Sequence, residues 1–320
     1  MRHVLVGGPI HETGLDRLKK SGLSFDMASD LTSAESLSLL EKADAILLRT
    51  QPMPATLIDR AGKLKILSRH GVGYDNVDVS ALNRRGIPLC VVGDANSVSV
   101  AEHTMMLMLA LARRVMNYDQ QTRAGHWRYR DGLSSTDLRG KTLLLLGGGR
   151  IGRAVAKRAL AFDMRVEIHD PSITPDQLRA LGVEPVDLLS DALGRADILS
   201  VHIPPQNGRA VIGQAELDAL KPGAIVINTA RGGVIDEAAL IQALASGQVS
   251  AAGLDVFEHE PLSPTHPLLM CENVILTPHA AGLSQEAAIQ MSVMAAQNII
   301  DFFEGCLNPS LIVNKSAVLS

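Results

Sequence analysis

Residues 142–170 read TLLLLGGGRIGRAVAKRALAFDMRVEIHD: an apolar run, a glycine-rich turn, a helical pattern and a second apolar run. Gly147, Gly149 and Gly152 have the spacing G-x-G-x-x-G directly after the first run. Glycines at these places allow a tight turn, close approach of a pyrophosphate and close packing of strand on helix, and the helix N-terminus supplies N–H donors. With the strand before it and the helix after it, the motif favours a dinucleotide site over an ordinary glycine-rich turn.

The acidic residue Asp170 ends the second apolar run, 21 residues after Gly149. A carboxylate at this position accepts hydrogen bonds from the ribose hydroxyls and repels a 2′-phosphate. The residues that follow, PSITP, contain no arginine to receive such a phosphate. The sequence therefore predicts NAD as the cofactor rather than NADP.

Alternating strand and helix patterns extend from this motif in both directions, which is typical of parallel sheets covered by helices on both faces. The second half of the chain has six apolar runs: TLLLL (142–146), RVEIH (165–169), DILSV (197–201), AIVIN (224–228), SAAGL (250–254) and NVILT (273–277). The first hundred residues have five: HVLV (3–6), SFDM (24–27), AILL (45–48), KILS (65–68) and PLCVV (88–92). We expect an α/β protein with two doubly wound parallel sheets.

The last long helical pattern, residues 285–305, is expected to cross back to the first domain. The chain is then divided into a flavodoxin-like substrate domain, 1–97 plus 285–320, and a Rossmann domain, 98–284, inserted into it. Residues 98–117 show no break and are almost wholly apolar in the middle, which predicts one buried helix. Its four methionines are interpreted as packing residues, and its need for a partner surface favours a homodimer, with a tetramer as the alternative.

The composition excludes several classes of function. The chain has 320 residues and a formal net charge of −4, so electrostatics gives no argument for nucleic acid or an anionic membrane as a partner. The three cysteines are far apart and show no metal-ligand spacing, and no apolar run is long enough to span a membrane. We expect a cytoplasmic protein without a metal.

Three polar residues, Arg231, Glu260 and His279, each come just after an apolar run that reads as a strand. Ligands of open parallel sheets bind beyond the carboxyl ends of the strands. An arginine holds a carboxylate, a histidine moves a proton, and a glutamate fixes the tautomer of that histidine. Each residue alone has a structural alternative, but the three together predict an acid–base site.

Several blocks of sequence resemble the D-isomer-specific 2-hydroxyacid dehydrogenase family, in the family's order and over nearly the whole chain. They are SRHGVGYDNVDV, ANSVSVAEH, the segment 143–171, VINTARGGVIDEAAL, GLDVFEHEPL and ILTPHAAG. The resemblance is closest to phosphoglycerate dehydrogenase-like members without the regulatory C-terminal extension. It implies hydride transfer between nicotinamide and a small 2-hydroxy or 2-keto acid, such as 3-phosphoglycerate, hydroxypyruvate or glyoxylate.

The resemblance also assigns roles to single residues. Asp255 would orient the nicotinamide carboxamide, and the backbone N–H groups of Val72 and Gly73 would bind the substrate carboxylate. Arg49 and Arg69 match positions that face the distal end of the substrate, which suggests a second anionic group; pairing with acids such as Asp75 is the alternative. The cofactor set is completed by Gly147, Gly149, Arg150, Ile151, Gly152, Asp170, His202, Pro204 and Thr229, with His202 equally well explained as a structural histidine.

One stretch departs from the family pattern. After VHIP the family usually has a leucine–threonine stretch, whereas this chain has Gln206 and Arg209 at those places, so the role of Arg209 is open. An NAD(H)-sensing corepressor-like protein of the same superfamily is the alternative function, because such relatives keep the same three polar residues. They carry additional tails for partners, and the chain ends soon after its last predicted helix.

Overall fold

The computed structural model describes residues 2–206 and 208–318, and the chain divides into two compact units. The outer unit comprises Met1–Asn96 and Leu283–Ser320, and the inserted unit comprises Ser97–Gly282. These bounds lie one or two residues from those expected from the sequence. Each unit is an α/β structure built on its own parallel sheet, as predicted.

In the described part of the outer unit, five parallel strands form the small sheet in the order β2-β1-β3-β4-β5. This 2-1-3-4-5 order is the flavodoxin-like one, so the predicted topology is confirmed. The strands are β1 (His3–Gly7), β2 (Ser24–Ala28), β3 (Ala45–Leu48), β4 (Ile66–Arg69) and β5 (Leu89–Cys90). The helices are α1 (Glu12–Lys20), α2 (Ala34–Leu40), α3 (Ala55–Arg60), α4 (Val79–Arg84), α12 (Gln285–Glu304) and α13 (Lys315–Val318).

Burial on both faces explains why β3, at the centre of the small sheet, is a continuous apolar run. Along β3, Ala45 and Leu47 pack on one face with the residues of α12, while Ile46 and Leu48 pack on the other. The C-terminal helix α12 is therefore part of the core of the outer unit, and its buried face supplies Met291, Ala295 and Ile299.

In the described part of the inserted unit, seven parallel strands form the large sheet in the order β12-β11-β10-β9-β6-β7-β8. Read from β8 to β11, this is the Rossmann order 3-2-1-4-5-6, with β12 added at the far edge. The strands are β6 (Thr142–Leu146), β7 (Arg165–His169), β8 (Glu184–Pro185), β9 (Ile198–Val201), β10 (Ala224–Asn228), β11 (Val249–Leu254) and β12 (Val274–Leu276). The two-residue β8 was not predicted, because Glu184–Pro185 has no apolar run.

The helices of the inserted unit cover both faces of the large sheet. They are α5 (Ser97–Ala112), α6 (Val115–Arg123), α7 (Arg150–Ala161), α8 (Pro175–Arg179), α9 (Ser190–Leu193), α10 (Gln214–Asp218) and α11 (Glu237–Ser246). Short 3-10 helices run over Trp127–Gly132 and Pro267–Met270, and a third, Pro309–Leu311, lies in the outer unit. Among the helices of the described residues, none has the length and apolarity that crossing a bilayer requires.

The prediction of one unbroken helix over 98–117 is wrong. The structure has α5 and α6 instead, separated at Arg113 and Arg114, and Arg114 takes a left-handed backbone conformation with φ +51°. The returning chain explains the break: the N–H of Thr136 donates to Ala112 O (2.8 Å) and the hydroxyl of Ser135 donates to Arg113 O (3.0 Å). These carbonyls are thereby satisfied without a further helical turn.

Candidate active site

In the glycine-rich turn after β6, steric contacts require glycine at two of the three positions of the motif. A Cβ on Gly152 would lie 2.1 Å from Gly147 O, and one on Gly147, where φ is +103°, would lie 2.6 Å from His202 O. A Cβ on Gly149, by contrast, would meet no heavy atom within 4 Å. Gly149 is the N-cap of α7 and has no side chain to satisfy the first N–H groups, so this open side suits a pyrophosphate.

The carboxylate of Asp170 is held at the mouth of the same turn. Its Oδ2 accepts the N–H of Gly148 (2.8 Å), and its Oδ1 accepts the N–H (2.9 Å) and hydroxyl (2.6 Å) of Ser172. Burial alone would raise the pKa of Asp170, but the bonds from Ser172 and Gly148 outweigh it and lower the pKa below its usual value. An ionised carboxylate therefore lies beside the glycine turn.

His202 follows β9 and packs against the turn from the other side. Its Nε2 lies 2.9 Å from Ser200 Oγ, while Nδ1 is buried and has no hydrogen-bond partner in the part of the chain that the structure describes. Burial lowers the pKa of His202 to about 4, so the ring is neutral at ordinary pH. Pro204, two residues further on, is exposed, and so is Arg209.

Beyond the carboxyl ends of the large sheet, His279 and Glu260 form a hydrogen-bonded pair. Nδ1 of His279 lies 2.7 Å from Oε2 of Glu260, and Oε1 of Glu260 accepts the N–H of Phe257 (3.0 Å). The side chain of His279 is half-exposed, so the ring is accessible from solvent. The structure thus brings together two of the three residues expected to perform acid–base chemistry.

Arg231 lies in the loop after β10. Asn228 braces this loop, with Nδ2 donating to Arg231 O (2.9 Å) and Oδ1 accepting the N–H of Ala230 (3.0 Å). The next residue, Gly232, packs so closely that a Cβ there would lie 1.8 Å from Phe257 O. The arginine loop is therefore in direct contact with the segment that carries Glu260.

Two further residues expected at the cofactor in this unit, Asp255 and Thr229, are buried. Asp255 is 1% exposed, and its carboxylate accepts the hydroxyl of Thr277 and the N–H groups of Ala280 and Ala281. The hydroxyl of Thr229 lies 2.9 Å from that of Thr104 on α5. Sequence reasoning missed Thr277 and Thr104, although Thr277 ends the apolar run NVILT and is therefore also at a strand end.

The residues expected to bind substrate in the outer unit lie at the carboxyl edge of the small sheet. The guanidinium of Arg69 donates from Nη1 to Leu48 O (3.0 Å) and from Nε to Gly73 O (2.8 Å). Arg49, which follows β3, donates from Nη1 to Pro9 O (3.0 Å). Arg69 thus holds the loop of Val72 and Gly73 against the end of β3, and two guanidinium groups lie at one edge of this sheet.

The strand order of the inserted unit, its glycine turn and the acid at the end of the next strand define a dinucleotide-binding α/β domain. Residues 105–281, more than half of the chain, match the family model described as D-isomer specific 2-hydroxyacid dehydrogenase, NAD binding domain. The chain belongs to the D-isomer specific 2-hydroxyacid dehydrogenase family.

Individual relatives agree with this assignment. The D-3-phosphoglycerate dehydrogenase of Archaeoglobus fulgidus is 39% identical over 304 residues, which cover 94% of this chain and 57% of the relative. The glyoxylate reductase of Aeropyrum pernix is 42% identical over 290 residues, which cover 88% of this chain and 86% of the relative. The chain therefore spans less than two thirds of that phosphoglycerate dehydrogenase and most of the reductase.

Among solved structures, the TT0316 protein from Thermus thermophilus superposes with a TM-score of 0.88 at 36% identity, covering 97% of this chain and 99% of that one. The similarity extends over both units of the chain, which confirms the predicted fold class.

Proposed function

We propose that this protein is an NAD-dependent oxidoreductase that interconverts a small 2-hydroxy acid and the corresponding 2-keto acid. The observation that carries the proposal is the 2.7 Å hydrogen bond between His279 and Glu260, in the same unit as the dinucleotide-binding turn. Its relatives include a D-3-phosphoglycerate dehydrogenase and a glyoxylate reductase, which are enzymes of this type.

The hydrogen bond determines which nitrogen of His279 takes part. An ionised carboxylate can only accept a hydrogen bond, so Nδ1 of His279 must carry a proton and donate it in the hydrogen bond to Glu260. In the neutral ring, Nε2 then keeps its lone pair. Nε2 of His279 then takes the proton of the substrate hydroxyl, or donates it to the keto oxygen in the reverse direction. A bound nicotinamide supplies the hydride chemistry at C2 of the substrate.

Arg231 is proposed to hold the carboxylate of the substrate. A planar guanidinium donates two parallel bonds to a carboxylate, which positions C2 as well as binding the acid. The loop of Arg231 is braced by Asn228 and by the close contact of Gly232 with Phe257, so its position is defined relative to Glu260. In the outer unit, the N–H groups of Val72 and Gly73 are proposed as further donors to the carboxylate.

The cofactor is proposed to be NAD rather than NADP. The fit rests on two features of the turn: the side of Gly149 at the N-terminus of α7 is open, and the carboxylate of Asp170 is ionised at the mouth of the turn. Arg150 and Ile151, at the start of α7, would contact the pyrophosphate, and Thr229 the nicotinamide ribose.

For the substrate, we propose an acid that carries a second anionic group at its distal end. The support is that Arg49 and Arg69 lie at one edge of the small sheet, where their guanidinium groups donate to backbone carbonyls and place positive charge beside the loop of Val72 and Gly73. Rates on 3-phosphoglycerate, hydroxypyruvate, glyoxylate and branched 2-keto acids test this. A clear preference for an uncharged aliphatic side chain contradicts it.

A homodimer is proposed from the exposure of apolar side chains on one segment of the inserted unit. Met116 in α6, Trp127 in the 3-10 helix that follows and Leu133 directly after that helix are 61%, 68% and 86% exposed. Such residues are common at interfaces between subunits. Analytical ultracentrifugation tests this proposal: a double variant Met116→Asp and Trp127→Asp is expected to be a monomer, and a monomeric wild type contradicts it.

The decisive experiment for the function is turnover of NADH with the panel of keto acids, compared between the wild type and His279→Ala. We expect the variant to lose about 100-fold or more in kcat while it still binds NADH, because only the proton transfer is removed. Near-normal turnover in the variant would contradict the assigned role. NADH binding without turnover on any acid in the wild type would favour the NAD(H)-sensing alternative.

A further inference from the structure

We propose that His103, on α5, is a positioning residue that controls the placement of His279 through Thr277 and Asp255. The inference rests on the proposed function of His279 as the acid–base residue. It concerns three side chains of the inserted unit that lie behind the acid–base pair, on α5, after β11 and after β12. Together they hold residues 277–281, which we call the histidine loop.

The three side chains form a chain of hydrogen bonds with a defined direction. Nε2 of His103 lies 3.0 Å from Oγ1 of Thr277, which lies 2.5 Å from Oδ1 of Asp255. Both oxygens of Asp255 also face backbone N–H donors, so the carboxylate is the acceptor. The single hydroxyl proton of Thr277 therefore goes to Asp255, and Thr277 accepts the proton that Nε2 of His103 carries.

At its other end, this chain holds the histidine loop by the backbone. Oδ1 and Oδ2 of Asp255 accept the N–H groups of Ala280 and Ala281 (2.8 Å each), and the main-chain oxygen of Asp255 accepts that of His279 (2.8 Å). These bonds hold the backbone at His279 and at the two residues that follow it. The position of Asp255 and the orientation of its carboxylate thus determine the position of the His279 backbone.

The backbone of His279 needs such support. Its φ is +52°, in the left-handed region that residues other than glycine rarely adopt. A residue in this region persists only where the surrounding structure over-determines it. Pro278 restricts the chain just before His279, and Asp255 supplies the bonds just after it.

Burial makes each donor to Asp255 important. Asp255 is 1% exposed. Among the described residues, the basic side chain within 4 Å of its carboxylate is His103, whose Nε2 lies 3.8 Å from Oδ1. A buried carboxylate must be satisfied by hydrogen bonds, since an unmet acceptor there is costly. If the hydroxyl of Thr277 or the N–H of His103 is lost, the remaining donors rearrange, and these donors are the N–H groups of the histidine loop.

The first test compares two pairs of variants. Thr277→Val removes the hydroxyl at nearly constant shape, and Thr277→Ser retains it; His103→Ala removes the donor, and His103→Gln places an amide N–H near the position of Nε2. We expect Thr277→Val and His103→Ala to lose about tenfold or more in kcat while KM for NADH changes less than about twofold. Thr277→Ser and His103→Gln should retain kcat within about threefold. His3→Gln, on β1 of the outer unit, is the matched control.

The proposal is overturned if Thr277→Val and His103→Ala keep wild-type kcat. It is also overturned if Thr277→Ser and His103→Gln fail to restore it while folded, or if the loss appears in KM for NADH instead of kcat. Thermal unfolding of each variant separates loss of the fold from misplacement of the loop. Because the two pairs perturb different side chains, one that does not fold leaves the other as the test.

A second readout does not depend on turnover. The proton on Nδ1 of His279, bonded to a carboxylate at 2.7 Å, is expected to give a downfield resonance in the proton NMR spectrum of the cofactor-free protein. If this resonance is absent from the spectrum of His279→Ala, it is assigned to the Nδ1 proton of His279. We expect it to persist in Thr277→Ser and to shift or vanish in Thr277→Val, and an unchanged resonance in Thr277→Val overturns the proposal. If the wild type shows no turnover, the proposed function fails, and this resonance still tests the positioning.

Discussion

Oε1 of Glu260 accepts the N–H of Phe257 at 3.0 Å, and the same carboxylate binds Nδ1 of His279 through Oε2 at 2.7 Å. The carboxylate is therefore anchored to the main chain of its own loop before it reaches the histidine. Both of its oxygens act as acceptors, so only a residue with two acceptor atoms satisfies both partners. This requirement distinguishes glutamate from its amide at this position.

We expect Glu260→Gln to lower kcat/KM by about 100-fold, within the usual contribution of acid–base catalysis. Glutamine has one acceptor oxygen, so its amide nitrogen must face either the N–H of Phe257 or Nδ1–H of His279, and the tautomer of His279 is no longer fixed. Steady-state kinetics checks this. Glu260→Asp, which keeps two acceptors on a shorter side chain, should retain more activity, and equal rates for wild type and Glu260→Gln would refute the role.

Gly232→Ala is expected to disrupt the site through the backbone. The added Cβ would lie 1.8 Å from Phe257 O and 2.1 Å from Phe257 C, so the loops of Arg231 and Glu260 must separate. Overpacking of this kind costs about 1–3 kcal/mol in the free energy of unfolding. Calorimetry and turnover together measure it.

The matched control for this variant is Gly62→Ala. At Gly62 the new Cβ meets no atom within 4 Å and the backbone is not left-handed. It should therefore unfold and turn over like the wild type. If Gly232→Ala behaves like Gly62→Ala, the two loops do not depend on this contact.

Asp170→Ala is expected to weaken the proposed preference for NADH over NADPH. Without the carboxylate, the ribose hydroxyls lose their acceptor and a 2′-phosphate is no longer repelled. We expect KM for NADH to rise about tenfold and the ratio of kcat/KM for NADH over NADPH to fall. Asp176→Ala, an exposed acid at the start of α8, is the control and should leave the ratio unchanged. A wild type that prefers NADPH would contradict the prediction at the outset.

The buried His70 should make the outer unit sensitive to acid. Burial lowers the pKa of His70 to about 4, helped by the charges of Arg49 and Arg69, whereas an unfolded histidine titrates near 6.5. The folded pKa is the lower one, so stability is present above pH 6.5 and is lost as pH falls towards 4. Between pH 7 and pH 5 the free energy of unfolding should fall by about 2 kcal/mol because of this residue.

Urea unfolding of wild type and His70→Gln at pH 7 and pH 5 checks this. The amide retains a partner for Ser292, whose Oγ lies 2.9 Å from Nε2 of His70, but it does not titrate. The loss of stability between the two pH values should therefore be smaller in the variant. The same loss in both proteins would show that His70 is not the titrating group.

Much of the fold follows from local patterns. The strands β6 and β10 are apolar runs because both faces of the sheet are covered, and Gly147 and Gly152 are required by contacts within one turn. The approach of His279 to Glu260 was predictable for a related reason: parallel strands end at one edge, so polar residues just beyond them converge.

Other features depend on tertiary contacts that no local pattern encodes. The apolar α5 has no polar face to orient it, so the sequence does not reveal that His103 points to Thr277. The break at Arg114 depends on residues 135 and 136 returning to bind the carbonyls at the end of α5. A stretch that is compatible with a helix therefore ends where a distant segment offers better hydrogen bonds.

The packing of α12 against the other elements of the outer unit has a consequence for synthesis on the ribosome. A Cβ on Gly14 in α1 would lie 2.7 Å from Ser292 O, and the hydroxyl of Ser68 donates to Ala295 O (2.9 Å), so α12 fits between elements made long before it. The nascent chain has all of Ser97–Gly282 before it has α12. The inserted unit thus completes its core first. Val4, Val6 and Ile66 of the outer unit stay uncovered until α12 has been made, so we expect chaperones to bind stalled chains mainly at these residues.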